Sequence, residues 1–367
     1  MPTLVKTGHH AAVPVKNKLR EVTMAEILAL GVSHYPPLIG PDNRMAGILQ
    51  RMLQNPDLPP DLRSPAGWPE PMRAEWGTDQ GTAAAGRHRA ALVDWMRRTR
   101  AALDAFDPDF VLIWGDDQYE NFQEDIVPPY CIAAHDRFAF TPAQGNVWGD
   151  DKGYDLAGHP KAGRFLATGL IEQGFDTAYA YKPLHHNLGH AFTNAVYYLD
   201  YDRKGFPWPI LPFAVNCYGR QVISQRGGVP RFDRKGPAPD MDPPAPAPWR
   251  LFDLGGATAR ILAASPYRVA LLASSGWSHA FLTAKNHYLW PDTPSDRKMY
   301  EHLKNADYAA WRACPATDVE DAGQQEILNW MCLTGALDAL GRKPKETGFV
   351  DTWIFNSSKA FLIAPPG

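Results

Sequence analysis

Cysteine is scarce in this chain: 4 residues in 367, Cys131, Cys217, Cys314 and Cys332, with no Cys-x-x-Cys spacing among them. That scarcity excludes a zinc ribbon, a redox dithiol and a dense disulfide framework, and it fits reduced thiols in a cytoplasm. Long apolar runs are missing too. No stretch approaches the roughly 20 apolar residues of a membrane helix, and residues 1–23 lack the apolar core of a signal peptide, so a cytoplasmic protein without membrane partners is expected. Charge of either sign is not in excess, with Lys+Arg 37 against Asp+Glu 40 and a net charge of -3. Such a balance gives no basic field for nucleic acid and no strongly acidic face, which leaves a small molecule as the expected partner. What is present is a hydrophobic fraction of 45% against 21% charged residues. That composition supports a substantial core, in one large domain or two intimately packed ones.

Residues 1–23 mix Lys6, Lys16, Lys18 and Arg20 with Pro2 and Pro14. They show no periodic apolar pattern and read as a loose extension, with Met24 as a possible start and 24–367 as a single catalytic domain. Ile27 to Val32 reads as a buried strand delivering Ser33-His34-Tyr35-Pro36-Pro37, where two prolines end regular structure. Leu92, Trp95, Met96 and Leu103 predict a helix over Gly86 to Phe106, stopped by Asp107-Pro108. A strand at Phe110 to Trp114 runs into Gly115-Asp116-Asp117-Gln118. A helix near Pro160 to Gln173, a strand near Pro209 to Val215 and a strand at Arg268 to Ser274 follow, the last leading into Gly276-Trp277-Ser278-His279. This alternation predicts an α/β fold with a largely parallel central sheet flanked by helices. Ligands bind such sheets beyond the carboxyl ends of the strands, where three of these motifs fall. The proline-rich stretch at about 227–249 cannot be a helix or a central strand and reads as a surface excursion or a lid.

Ile327, Leu328, Met331, Leu337 and Leu340 predict a helix over Gln324 to Leu340 with Gly341 as its stop and Thr317, Asp318 and Asp321 as cap candidates. Glu326 then lies in the first turn, where the helix dipole favours a carboxylate. Of the twelve histidines, His9 and His10 fall in the extension, and His88 and His302 sit among charged residues and read as solvated. His34, His190 and His279 differ, because each lies in a turn context that can present a side chain to a crevice.

The ordered segments Ser33-His34-Tyr35-Pro36, Val111 to Phe122 continuing to Ile126-Val127-Pro128, Gly158-His159-Pro160, Gly189-His190-Ala191, Pro212 to Asn216, Gly276 to His279 and Glu326 to Leu337 resemble the class III extradiol ring-cleaving dioxygenases. The likeness is to the family of the catalytic β-subunit of protocatechuate 4,5-dioxygenase and gallate dioxygenase, over roughly residues 26 to 364. The resemblance implies a mononuclear Fe(II) held by two histidines and a glutamate. His34 and Glu326 match metal ligands, His279 matches an acid-base histidine, and His190 matches a histidine near substrate and bound oxygen. It further implies a catechol-like or aminophenol-like substrate, O2 and a homodimer, with a small partner subunit as a further possibility.

The second metal histidine is where this chain departs, because Gln118 stands at that position and a glutamine oxygen is a poorer ligand for Fe(II) than imidazole. If the strand pleat continues, Asp116 shares a face with Gln118 and can supply the missing ligand, moving preference toward Mn(II) or another divalent metal. His185 and His186 are the other replacements. Trp277, Trp290 and Tyr35, with His186, are candidates for the substrate wall; as a bland alternative the aromatics are ordinary core. Lys285 and Arg220 are only nearby in sequence as carboxylate clamps. Two other functions stay open: a metal-dependent hydrolase or lyase on the same fold, and a catalytically silent binding subunit.

Overall fold

The computed structural model describes residues 25–228, 232 and 240–367. The N-terminal extension expected at 1–23, with His9 and His10, and most of the tip of the proline-rich excursion lie outside the described residues. An eight-stranded sheet organises the rest, in the order β6-β3-β7-β2-β8-β1-β10-β9. Its centre consists of β7 (Ile210–Val215), β2 (Phe110–Asp116), β8 (Val269–Ser274) and β1 (Ile27–Val32), all mutually parallel. On one side β3 (Tyr130–Ala133) pairs antiparallel with β7 and carries β6 (Ala178–Ala180) parallel to itself. On the other, β10 (Lys359–Ala364) pairs antiparallel with β1 and then with β9 (Glu346–Val350). The arms β4 (Arg137–Phe140) and β5 (Tyr154–Ala157) form a separate hairpin sheet. The sheet is thus mixed with a parallel core, as expected for strands linked by helical crossovers.

β1, β2 and β8 are buried at every position, which is why they read as unbroken apolar runs rather than as alternating strands. Helices cover both faces. The described helices are α1 (Gly47–Met52), α2 (Glu70–Trp76), α3 (Thr82–Phe106), α4 (Pro160–Glu172), α5 (His190–Leu199), α6 (Pro248–Ala263), α7 (Thr293–Lys304), α8 (Tyr308–Arg312), α9 (Ala316–Asp321) and α10 (Ile327–Ala339). The α6 and α10 pair lies at van der Waals distance because Gly255 and Gly335 face the Cys332 and Phe252 carbonyls, and a Cβ at either glycine would collide with backbone.

Two boundaries differ from the sequence expectation. α3 begins at Thr82, a turn earlier than Gly86, because Asp79 accepts hydrogen bonds from the Gly81 and Ala83 amides and starts the helix there. α10 begins at Ile327, and Glu326 itself is the N-cap residue. Asp318 and Asp321 belong with Thr317 to the separate helix α9, which the turn at Gly323 (φ 65°) breaks from α10. α10 is buried at Ile327 through Leu337 without interruption, so its apolar spacing marks a central helix rather than an amphipathic one. Among the described residues no helix is long and apolar enough to cross a membrane.

Candidate functional site

The carboxyl ends of β1, β2 and β8 bring together the residues that follow them. His34 lies two residues past β1, Asp116 is the last residue of β2, and Ser274 ends β8. His34, Asp116 and His190 form a group whose potential ligand atoms all lie within 4.8 Å of one another. Glu326 joins them from the start of α10, with Oε2 3.7 Å from His34 Nε2, while Asp116 Oδ1 is 3.9 Å from the same nitrogen. His279 Nε2 lies 3.3 Å from Glu326 Oε1. His34, His190, His279 and Glu326 therefore converge on one centre, and Asp116 is the residue that β2 supplies to it.

Each side chain is held from outside. His34 Nδ1 donates to the Ser274 carbonyl at 3.0 Å and lies 3.2 Å from Ser274 Oγ, which donates to the Ala191 carbonyl at 2.8 Å. A carbonyl can only accept, so the proton sits on Nδ1, and Nε2 keeps its lone pair toward the carboxylates. Burial first, and the neighbouring His190 second, push the His34 pKa well down, so the ring is neutral. Glu326 is oriented by Tyr218, whose hydroxyl donates to Oε1 at 2.5 Å, and by the Gly276 amide, which donates to Oε2 at 3.1 Å. His190 opens α5, and its amide and Nδ1 meet the Glu120 carboxylate at 2.8 and 3.0 Å. Burial works against a charged His190, yet Glu120, with Asp116 and Glu326 behind it, raises its pKa to about 10.

Asp116 is fully buried, and neither of its carboxylate oxygens has a hydrogen-bond partner among the described residues. Burial and, next, the Glu326 carboxylate drive its pKa well up. An unpartnered buried carboxyl beside a second carboxylate and a neutral imidazole nitrogen is costly for a protein alone and is relieved by a divalent cation. Two carboxylates with one or two imidazoles are a donor set for Fe(II), Mn(II) or a similar ion. These residues fit a metal.

Gln118 follows a different course past the end of the strand. The β2 ladder with β7 ends at Asp116 paired to Val215. Asp117 then accepts hydrogen bonds from the amides of Glu120, Asn121 and Phe122, and Tyr119 takes a φ of 58°. This turn ends the two-residue alternation, so Asp116 and Gln118 do not share a face, and the Gln118 amide donates to the Gly227 carbonyl at the foot of the proline-rich excursion. A Cβ at Gly227 would lie 2.7 Å from Gln118 Cγ, so glycine permits the contact. That contact ties Gln118 to the excursion through its amide nitrogen, while Asp116 is the residue of this segment placed beside His34. His185 pairs with Asp125 at 3.0 Å, and His186 is exposed, so neither replaces a ligand.

The expected aromatic wall is also revised. Trp277 is fully buried among Trp311, Trp330, Tyr300 and Phe349, and so belongs to the core. Tyr35 is buried as well, its hydroxyl donating to the Met45 carbonyl at 2.7 Å. His88, read as solvated, is buried between Tyr35 and Phe355, with burial lowering its pKa, because its helix turns that side inward. Sequence reasoning missed Tyr218, Glu120, Ser274 and Asp296. Tyr218 was within reach, since it lies three residues past β7 at the sheet end that carries the other motifs. An open cavity lined by Cys217, Tyr218, Arg220, Met241, Gln325 and Leu328 adjoins the centre through Tyr218.

Asp296, fully buried in α7, ties two site segments together. Its Oδ1 accepts from the Ser278 amide at 2.9 Å and from Gln324 Nε2 at 2.7 Å, next to His279 and near Glu326. Burial raises its pKa from 3.8 to about 7. A carboxyl with a folded pKa above its unfolded value contributes stability that is complete below about pH 4 and is lost as pH rises to about 7, a change of about 4 kcal/mol. Asp296→Asn is expected to remove that slope. Urea denaturation of the metal-free protein at pH 5 and pH 8 measures it, and equal slopes in the two proteins would refute the assignment.

No family model matches the chain. It is similar to the 2,3-dihydroxyphenylpropionate/2,3-dihydroxicinnamic acid 1,2-dioxygenase 2 of Pseudomonas putida, 28% identical over 189 residues, 50% of this chain and 48% of the relative. The enzyme of that name (1,2-dioxygenase) from Rhodococcus rhodochrous is 26% identical over 253 residues, 66% of each chain. Its counterpart in Klebsiella pneumoniae (strain 342) is 26% identical over 234 residues, 63% of this chain and 59% of the relative. The chain spans about half the length of the first of these relatives. The similarity supports a dioxygenase at the level of the enzyme class.

Proposed function

We propose that the protein is a divalent-metal-dependent dioxygenase of the extradiol type that opens the ring of a catechol-like or aminophenol-like aromatic with O2. The observation that carries the proposal is the unpartnered, fully buried Asp116 carboxylate facing His34 and His190, beside Glu326 and His279. His34, Asp116 and Glu326 would hold the ion. A bound Fe(II), or Mn(II), supplies the redox chemistry that joins a catecholate to dioxygen. His279 would take the substrate hydroxyl proton at Nε2. Burial holds the ring unprotonated in the unliganded site, so Nε2 is free to accept a hydrogen bond from that hydroxyl. Tyr218 and the Gly276 amide keep Glu326 fixed while that proton moves. His190, held by Glu120, presents a cation toward the site, where it can orient an anionic substrate oxygen.

The test is anaerobic loading with Fe(II) or Mn(II), followed by metal analysis, oxygen uptake and ring-fission absorbance. The substrate panel should hold catechols and 2-aminophenols with and without a carboxylated side chain, because Arg220 lies on the rim of the adjoining cavity. One equivalent of metal with oxygen uptake is expected. Bound metal without oxygen consumption on the whole panel would favour a hydrolase or lyase, and failure to bind metal would leave a silent binding subunit.

A further inference from the structure

His279 is seated on a turn that has its own internal support. Trp277 N donates to the Ser358 carbonyl at 3.3 Å, Ala280 N donates to the Asn356 carbonyl at 2.6 Å, and His279 forms an isolated antiparallel bridge with Ser357. The turn is not a relaxed one, since Asn356 sits at φ 62° in the left-handed region. Lys359 braces it from below. Its amine donates to the carbonyls of Phe355, at 2.7 Å, and Ser357. These carbonyls flank the Asn356 carbonyl that receives Ala280.

Lys359 is fully buried, and no carboxylate lies within ion-pair distance of it among the described residues. Its Nζ lies 3.7 Å from the centroid of the Tyr35 ring, the residue after His34. Glu75 and Asp296 are the nearest acidic groups felt there, and His88 and His279 the nearest imidazoles. An apolar residue of the same length would be cheaper to bury. The amine's hydrogen bonds within this turn account for its presence.

We propose that Lys359 is a positioning residue that fixes the place of His279 through the Phe355–Ser357 turn. The catalytic half of this inference rests on the acid-base role of His279; the brace itself does not. Two variants of the full-length protein separate these halves. Lys359→Met removes both donated hydrogen bonds while keeping the length of the side chain. Ala280→Pro leaves Lys359 untouched and deletes the donor to Asn356 at a position that begins a 3-10 turn after an extended His279 (ψ 126°), where proline is tolerated.

For Lys359→Met, amide hydrogen exchange at Trp277 and Ala280 should accelerate about 100-fold, while protection in β1 and β8 and the affinity for Mn(II) stay unchanged. In both variants kcat should fall more than about tenfold with KM within about twofold, because a misplacement of about 1 Å costs on that order or more. Unaltered exchange at Trp277 and Ala280 in folded Lys359→Met overturns the brace. Lost protection with wild-type kcat overturns its link to catalysis. Should Lys359→Met not fold, wild-type kcat in Ala280→Pro overturns the proposal. A wild-type protein with no oxygen uptake would sink the proposed function, and the exchange result would still decide the brace.

Discussion

Asp116→Asn is expected to weaken divalent-metal binding by more than about 100-fold, beyond what loss of an outer hydrogen-bonding partner costs a metal site. The reason is the position of the carboxylate at the end of β2, fully buried, with neither oxygen partnered and His34 Nε2 3.9 Å away. Asparagine keeps the volume but removes the charge that a cation would neutralise. Without metal the same substitution should leave the protein as stable as before or more so, because an ionisable group with no partner has been taken out of the interior. Gln118→Ala is the contrasting variant. It should keep metal affinity within about twofold, since the Gln118 amide is spent on the Gly227 carbonyl. Calorimetric titration with Mn(II) decides the matter: equal losses in both variants would return Gln118 to the centre, and an unaffected Asp116→Asn would remove Asp116 from it.

The second large effect is at His279. His279→Gln should lower kcat by about 10²–10⁴-fold while metal content and substrate KM change little, the range expected when a general acid-base group is lost. Burial, with Lys359 and His190 as lesser neighbours, keeps this imidazole neutral, so at neutral pH it can accept a proton from a substrate hydroxyl. Glutamine can donate and accept hydrogen bonds but cannot carry the proton. Stopped-flow oxygen consumption on the metal-loaded variant is the measurement, and retention of more than about a tenth of wild-type kcat would exclude an acid-base role for His279.

Much of this was legible before any coordinates. The runs Ile27–Val32, Phe110–Trp114 and Arg268–Ser274 stand out as buried strands because each has an unbroken apolar centre and leads into polar or turn-forming residues, and the structure places strands there. His34, His190, His279 and Glu326 were visible through their turn contexts and through the ordered family resemblance. Glu120 and Asp296 were not, because their parts depend on partners 70 and 28 residues away that no local pattern signals. His88 failed for a related reason. Charged neighbours along a helix say little about the one side that a long helix turns inward.

By itself the sequence determined the parallel α/β core and the sheet end at which the site lies, because hydrophobic periodicity and turn residues act over a few positions. Only the tertiary structure decided which oxygen faces His34. Past the last ladder pair at Asp116, side-chain direction is no longer set by the strand but by what the chain meets, and there Asp117 turns the backbone while Gly227 captures Gln118. Asp116 is left buried beside His34 with neither oxygen hydrogen-bonded among the described residues, where a metal would satisfy its carboxylate.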